Sequence, residues 1–387
     1  MKRFLSLLLA LLMVFSLALG LVACDEPEEP PVTNGDGGDG DGDQEEGGTP
    51  PAEEVEGETI DIYLIAGQSN AAGHTKINDR LSIYTEYPEL QNGYTNVLYS
   101  GNSRGDLNGS TKLNPREIDW TRAKLGFGVA DTLHMGPEAG MAAALASHYN
   151  KESGKYAGII KMAHGGTGLL AGATTGSNKF GNWMPPSYAA SIGVSWGDGT
   201  ELGSIHGGLY RELLREVKKQ IEDLENYNKV NFTKVNIKGL YWMQGCNDRY
   251  RDRNEYRKAF QYFVSDLRED LADMMTEMTG SDCGASNMAV FVGTISQTFS
   301  LNSPTTEVDV NIPFINMQKA LPDHITNCYV VDNSQYAIGR WDPEKDDGEG
   351  GKGAVVALGS DAGHWNQNDM LDIGVNVGNM MIEKCTQ

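Results

Sequence analysis

Ser69, Asp361 and His364 are the residues whose types and surroundings could support acyl transfer. Ser69 stands in "YLIAGQSNAAGH" (Tyr63–His74), where an apolar run ends on a glycine and a serine is held between Gln68 and Asn70. A serine hydroxyl is a weak nucleophile and needs a neighbouring base. The Gly-x-Ser-x-Gly elbow is not met, because position 71 is Ala, so Ser69 alone also fits a simple turn. His364 lies in "SDAGHWN", three residues after Asp361. On one tight turn a carboxylate at that spacing can reach imidazole Nδ1, fix its tautomer and stabilise the imidazolium, leaving Nε2 for the serine. The same spacing suits a helix cap beside a surface histidine.

Acyl transfer also needs donors aimed at the oxyanion of a tetrahedral intermediate. The backbone N–H of Ser69 is one candidate. Gly165 and Gly166 of "KMAHGGTGL" are others, since a residue without Cβ lets backbone approach a ligand closely. Asn247 of "GCND" offers a side-chain amide. Two glycine turns and a capping asparagine would account for the same residues.

These pieces need a scaffold. Strand-like runs at "IDIYLIA", "AGIIKMA", "NIKGLYWM", "MAVFVGTI" and "NCYVVD" alternate with amphipathic stretches. In "LYRELLREVKKQIEDLEN", Leu209, Leu213, Leu214, Val217 and Ile221 fall at helical spacing. Such alternation predicts a mostly parallel sheet covered on both faces. Ligands bind such sheets beyond the carboxyl ends of the strands. There the chain places "GQSN", "HGGTG", "QGCND", "SQT" and, after the fifth strand, "DAGH". Three long segments interrupt the pattern: Glu89–Leu133, Ala171–Ile205 and Ser334–Ser360. They carry Trp120, Trp183, Trp196 and Trp341, which could stack on sugar rings but more readily staple loops to the body.

In that order, "GQSN", "GGT", "GCND" and "DAGH" resemble the four blocks of the SGNH/GDSL hydrolase superfamily. "IAGQSN", "GPE" (Gly136–Glu138), "KMAHGGTGL", "YWMQGCND" and "DAGH" resemble its sialate O-acetylesterase and acetylxylan esterase branch, carbohydrate esterase family six. The resemblance implies a flavodoxin-like three-layer α/β/α fold and removal of acetyl groups from sugar hydroxyls without metal or other cofactor. It makes Ser69 the nucleophile, His364 the base and Asp361 its orienter, with the "HGGT" glycines and the polar residue of the third block in the oxyanion hole. The branch usually has Gln-Gly-Glu in that block. Here Cys246 replaces the Glu and "GCND" matches the wider Gly-x-Asn-Asp pattern, so Asn247 is the preferred donor and Gln244 the second. No base is indicated that would make Cys246 a catalytic thiol. His164 and His206 read as structural or substrate-contacting residues.

The chain has 387 residues. Lys2 and Arg3 precede an apolar run, Phe4–Leu19, that closes on "LVAC". This is a secretory signal, and Cys24 after small residues resembles the lipobox of bacterial lipoproteins, where the thiol is lipidated. As a membrane span the run is short of the ~20 residues required. Residues 25–58 hold 14 acids, no Lys or Arg and no aromatic residue. Such a segment cannot bury enough apolar surface to fold, and reads as a disordered tether. Its "DGDGDQEE" fails the calcium-loop pattern, because counting from Asp39 puts Gln44 sixth and Pro50 twelfth. The tether carries much of the net charge of −22. No basic stripe supports nucleic-acid binding. The remaining cysteines, Cys246, Cys283, Cys328 and Cys385, match no zinc spacing, and no pairing is assigned.

The expectation is therefore a signal peptide (1–24), a tether (25–58) and one esterase domain (59–387). The chain would be anchored by lipid to the outer side of a cell membrane and would act on acetylated oligo- or polysaccharide. Two rivals stay open: a glycan-binding lipoprotein on an esterase-like fold, and an esterase for other acyl groups.

Overall fold

The run Ile60–Ala66 forms the centre of the molecule. In the computed structural model it lies in β1 (Glu58–Gly67), the middle strand of a seven-stranded sheet. The structure describes residues 57–104, 116–129, 131–150, 154–173, 181–196, 206–227, 230–299, 310–346, 348, 350–361 and 363–386. The leader, Cys24 and the tether up to residue 56 lie outside the described residues.

After β1 come α1 (Ser69–Ala72), β2 (Thr75–Lys76), α2 (Arg80–Glu86), β3 (Val97–Arg104), β4 (Arg116–Arg122), β5 (His134–Met135), α3 (Glu138–His148) and β6 (Lys155–His164). Then follow α4 (Pro186–Ser191), α5 (Gly208–Glu222), β7 (Phe232–Met243), α6 (Arg253–Thr279), β8 (Ala289–Gly293), α7 (Ile312–Lys319) and β9 (Cys328–Val331). A ribbon, β10 (Gly339–Asp346) and β11 (Lys352–Ala357), precedes the final helix α8 (Gln367–Cys385). The sheet order is β4-β3-β6-β1-β7-β8-β9, parallel throughout except for the β3–β4 pair.

Alternation along β1 explains the three layers. Ile60, Ile62, Leu64 and Ala66 enter a core shared with Leu209, Leu213 and Val217 of α5 and Phe260, Phe263 and Leu267 of α6. Tyr63 and Ile65 face the opposite core, with Met141 and Leu145 of α3 and Ile373 and Val377 of α8. Because both faces are covered, the strand reads as an unbroken apolar run. The long helix α6 starts where the Asp252 carboxylate accepts the N–H groups of Asn254 and Glu255, and stops at Gly280 in the left-handed region, φ 81°. The expected flavodoxin-like α/β/α arrangement is present.

All three long interruptions contain regular structure, Ala171–Ile205 the short helix α4. Glu89–Leu133 contains β3 and β4, which extend the sheet. The apolar run there is only Val97–Tyr99, followed by Ser100, Gly101 and Asn102, so periodicity hides the strand although Ser100 and Asn102 are buried. Ser334–Ser360 contains the β10–β11 ribbon. Three tryptophans act as staples. Trp120 Nε1 donates to Gln220 O (2.7 Å), and Trp183 Nε1 donates to Thr167 Oγ1 (2.8 Å) from a fully buried site. Trp196 Nε1 donates to Met184 O (2.8 Å), with the Arg211 guanidinium over its ring.

The helices α3 and α8 cross closely because both carry glycine at the crossing. A Cβ on Gly140 would stand 2.1 Å from Leu371 O, and one on Gly374 2.3 Å from Pro137 O. The crossing anchors the start of α8, three residues beyond His364.

Candidate active site

The serine turn is built by two strands that break side by side. Gly67 ends β1 at φ 142°, where a Cβ would lie 2.2 Å from Met243 O of the neighbouring β7. Beyond β7, Gly245 has φ 140°. Gln68 replaces the lost ladder: its Oε1 accepts the N–H of Gly245 (3.1 Å) and its Nε2 donates to Asn247 Oδ1 (3.2 Å). Ser69 is then the first residue of α1 and is 8% exposed. Its N–H belongs to the first helical turn, which has no intrahelical acceptor.

His364 is held by Asp361, as the Asp-x-x-His spacing allows. Its Nδ1 lies 2.8 Å from both carboxylate oxygens, and Gly363 N–H donates to Asp361 Oδ1 at 2.7 Å. Partial burial would raise the Asp361 pKa, but the hydrogen bond and charge of His364, with the Gly363 N–H, hold it down at about 2. The aspartate is therefore ionised at neutral pH.

The histidine loop is laced to the serine turn. Asn70 Nδ2 donates to Gly363 O (3.2 Å), across 293 positions of sequence. Thr75 Oγ1 donates to Trp365 O (3.1 Å), and Lys76 N–H to Ser360 Oγ (2.9 Å). Gln367 Oε1 accepts the N–H groups of Asn78 (2.8 Å) and Asp79 (2.9 Å). Residues 70–79 and the described residues of 360–367 are thus tied together.

The second and third blocks brace one another. The Asn247 amide donates to Gly166 O and Ala173 O, both at 3.1 Å. Asp248 accepts the N–H groups of Leu169 (2.9 Å) and Leu170 (3.0 Å), and the Gln244 amide at 2.5 Å. Complete burial raises Asp248 to about 6, against the pull of those N–H donors. Gln244 Nε2 also reaches Thr167 O (3.1 Å). The amide hydrogens of Asn247 and Gln244 are thus engaged within the scaffold that shapes the Gly165–Gly166 turn, where Gly166 has φ 70°. In this conformation neither side chain is shown offering an N–H to an oxyanion.

Cys246 is buried, and burial pushes its thiol up to about 12, so it holds no thiolate. Cys246, Cys283, Cys328 and Cys385 are all free. His164 is fully buried with Nδ1 at 3.0 Å from Gly165 O. His206 Nδ1 lies 3.2 Å from Asn182 Nδ2, in the loop before α5. Among the described residues no group of three or more His, Cys, Asp or Glu could hold a metal ion.

Three residues at the site received no role from sequence reasoning. Gln68 organises the third block from within "GQSN". Lys161 is buried beneath α1, and its signal was a lysine inside the apolar run "AGIIKMA". His74 closes the opening motif and lies against His364.

The fold has a counterpart among solved structures. The crystal structure of NanS matches over 85% of this chain and 98% of its own, with a TM-score of 0.51 and 14% identity. A carbohydrate acetylesterase from Xanthomonas citri, XAC1771, matches over 84% of this chain and 56% of its own, with a TM-score of 0.41 and 14% identity. No curated protein matches the sequence. A family model described as "Carbohydrate esterase, sialic acid-specific acetylesterase" matches residues 59–335, from β1 through all the strands of the main sheet. The chain belongs to this family of carbohydrate esterases.

Proposed function

We propose that the chain is a serine O-acetylesterase that deacetylates sugars outside the cytoplasm, tethered to the membrane by lipid on Cys24. The Asp361–His364 pair, tied through Gly363 to the residue after Ser69, is the observation that carries this reading. Ser69 Oγ attacks the acetyl carbonyl as His364 Nε2 takes its proton. The oxyanion is met by the N–H of Ser69 and a glycine N–H of the Gly165–Gly166 turn, with Asn247 and Gln244 bracing that turn. His364 returns the proton to the departing sugar oxygen, leaving an acetyl-serine. Water then attacks this ester with His364 again as base, acetate leaves, and the proton returns to Ser69.

The test compares wild type and Ser69→Ala for acetate release from a panel of acetylated polysaccharides and for turnover of an acetylated chromogenic ester. The expected result is acetate release by wild type alone. Wild-type turnover by the variant would overturn the mechanism. Binding of acetylated glycan without acetate release would favour the glycan-binding alternative, and preference for longer acyl chains would favour the other esterase reading. Globomycin-sensitive processing of the full chain, abolished in Cys24→Ala, tests the anchor.

A further inference from the structure

His74 stands five residues after Ser69, just beyond the left-handed cap Gly73 of α1. Its ring lies flat on that of His364, with centroids 4.6 Å apart and planes 12° from parallel. Its Nε2 is buried and has no hydrogen-bond partner among the described residues. A side chain serving only as a polar brace would not be left in that state.

We propose that His74 is a positioning residue for the general base, the platform that fixes the plane of the His364 imidazole relative to Ser69. This rests on the reading of Ser69 and His364 given above. The bond to Asp361 holds one ring nitrogen but leaves rotation about the outer side-chain torsion, which is broad for histidine. A flat neighbour removes that freedom. Because His74 belongs to the segment that carries Ser69, one short piece of chain places both the nucleophile and the surface on which the base rests.

The platform must also stay uncharged beside a residue that becomes imidazolium. Burial lowers the His74 pKa to about 3, assisted by the charge of His364. Of the other groups facing it, Asp361 raises the value, and His134 on β5 and His164 on β6 lower it. His74 is therefore neutral at neutral pH.

The test uses purified full-length protein and an acetylated chromogenic ester, with His74→Phe, His74→Leu and Ser69→Ala measured in parallel. His74→Phe keeps a flat uncharged ring and is expected to retain kcat within a few-fold. His74→Leu fills the space without a flat face. It is expected to lower kcat about tenfold or more at a KM within about twofold of wild type, since small misplacements are costly in rate. Thermal melts establish that each variant is folded. A folded His74→Leu with the kcat of His74→Phe overturns the platform, as does a folded His74→Phe no better than leucine. An inactive Ser69→Ala beside an unimpaired His74→Leu overturns the platform alone. An active Ser69→Ala overturns both it and the site reading.

Discussion

Lys161 Nζ lies 2.9 Å from Glu138 Oε2, and neither side chain reaches solvent. The ammonium also donates to Phe127 O (2.8 Å) and Ala72 O (3.3 Å), while Glu138 Oε1 accepts Gly136 N–H (2.9 Å). This pair ties β6, α3 and the last residue of the serine helix together. Removing one partner leaves a buried charge alone, which costs far more than the pair itself contributes. Lys161→Met is expected to destabilise the fold by about 3–5 kcal/mol. The double variant Lys161→Met/Glu138→Gln should recover part of that loss. Urea unfolding midpoints check both, and a double variant no more stable than the single one would contradict the pairing.

Asp361→Asn keeps the shape of the orienting residue and removes its charge. The expected effect is a fall in kcat of about a hundredfold or more with KM little changed, because the imidazolium loses stabilisation and the amide no longer fixes the tautomer of the base. The pH dependence has a defined sign. Asp361 has a depressed folded pKa, so its pairing contributes fully above about 4, the ordinary carboxylate value. It is lost only as pH falls through about 2. Loss of activity between about pH 4 and pH 6 should therefore not report protonation of Asp361, which NMR titration of its carboxyl beside kcat/KM profiles will check.

Asn247→Ala separates a brace from an oxyanion donor. Its amide is bonded to Gly166 O and to the buried Ala173 O, so truncation should lower stability by about 1–3 kcal/mol through the loss of both bonds. Loss of a direct oxyanion donor would instead cut kcat by about 10²–10³-fold with stability intact. Thermal melts and steady-state kinetics on one preparation distinguish the outcomes.

Asp248 behaves oppositely to Asp361. Its folded pKa is raised to about 6, so the unfolded chain ionises first as pH increases. Stability should fall between about pH 4 and pH 6 and then level off. Asp248→Asn should flatten that slope, as measured by urea unfolding across the range.

The α3–α8 crossing has no room for a methyl group. Gly374→Ala is expected to cost about 1–3 kcal/mol through overpacking against Pro137 O. It should also lower kcat, because α8 begins immediately after the histidine loop. A variant with wild-type stability would show that the helices separate freely.

The sequence by itself determined the layered fold, since β1 and its parallel neighbours are apolar on both faces and the intervening helices carry an apolar stripe. It also marked Ser69, Asp361 and His364, because the Asp-x-x-His pairing is local and the blocks follow strand ends. The apolar period misses β3 because its buried polar residues Ser100, Asn102 and Ser103 break it, and misses β4 because that edge strand is mostly polar with only Trp120 buried. Only the tertiary structure decided which amides are engaged, how Lys161 is neutralised and what lies against His364. Each depends on groups far apart along the chain: Asn247 and Gly166, Lys161 and Glu138, His74 and His364. Local pattern records which residue types are present, but a side-chain donor has many possible acceptors until packing leaves it one.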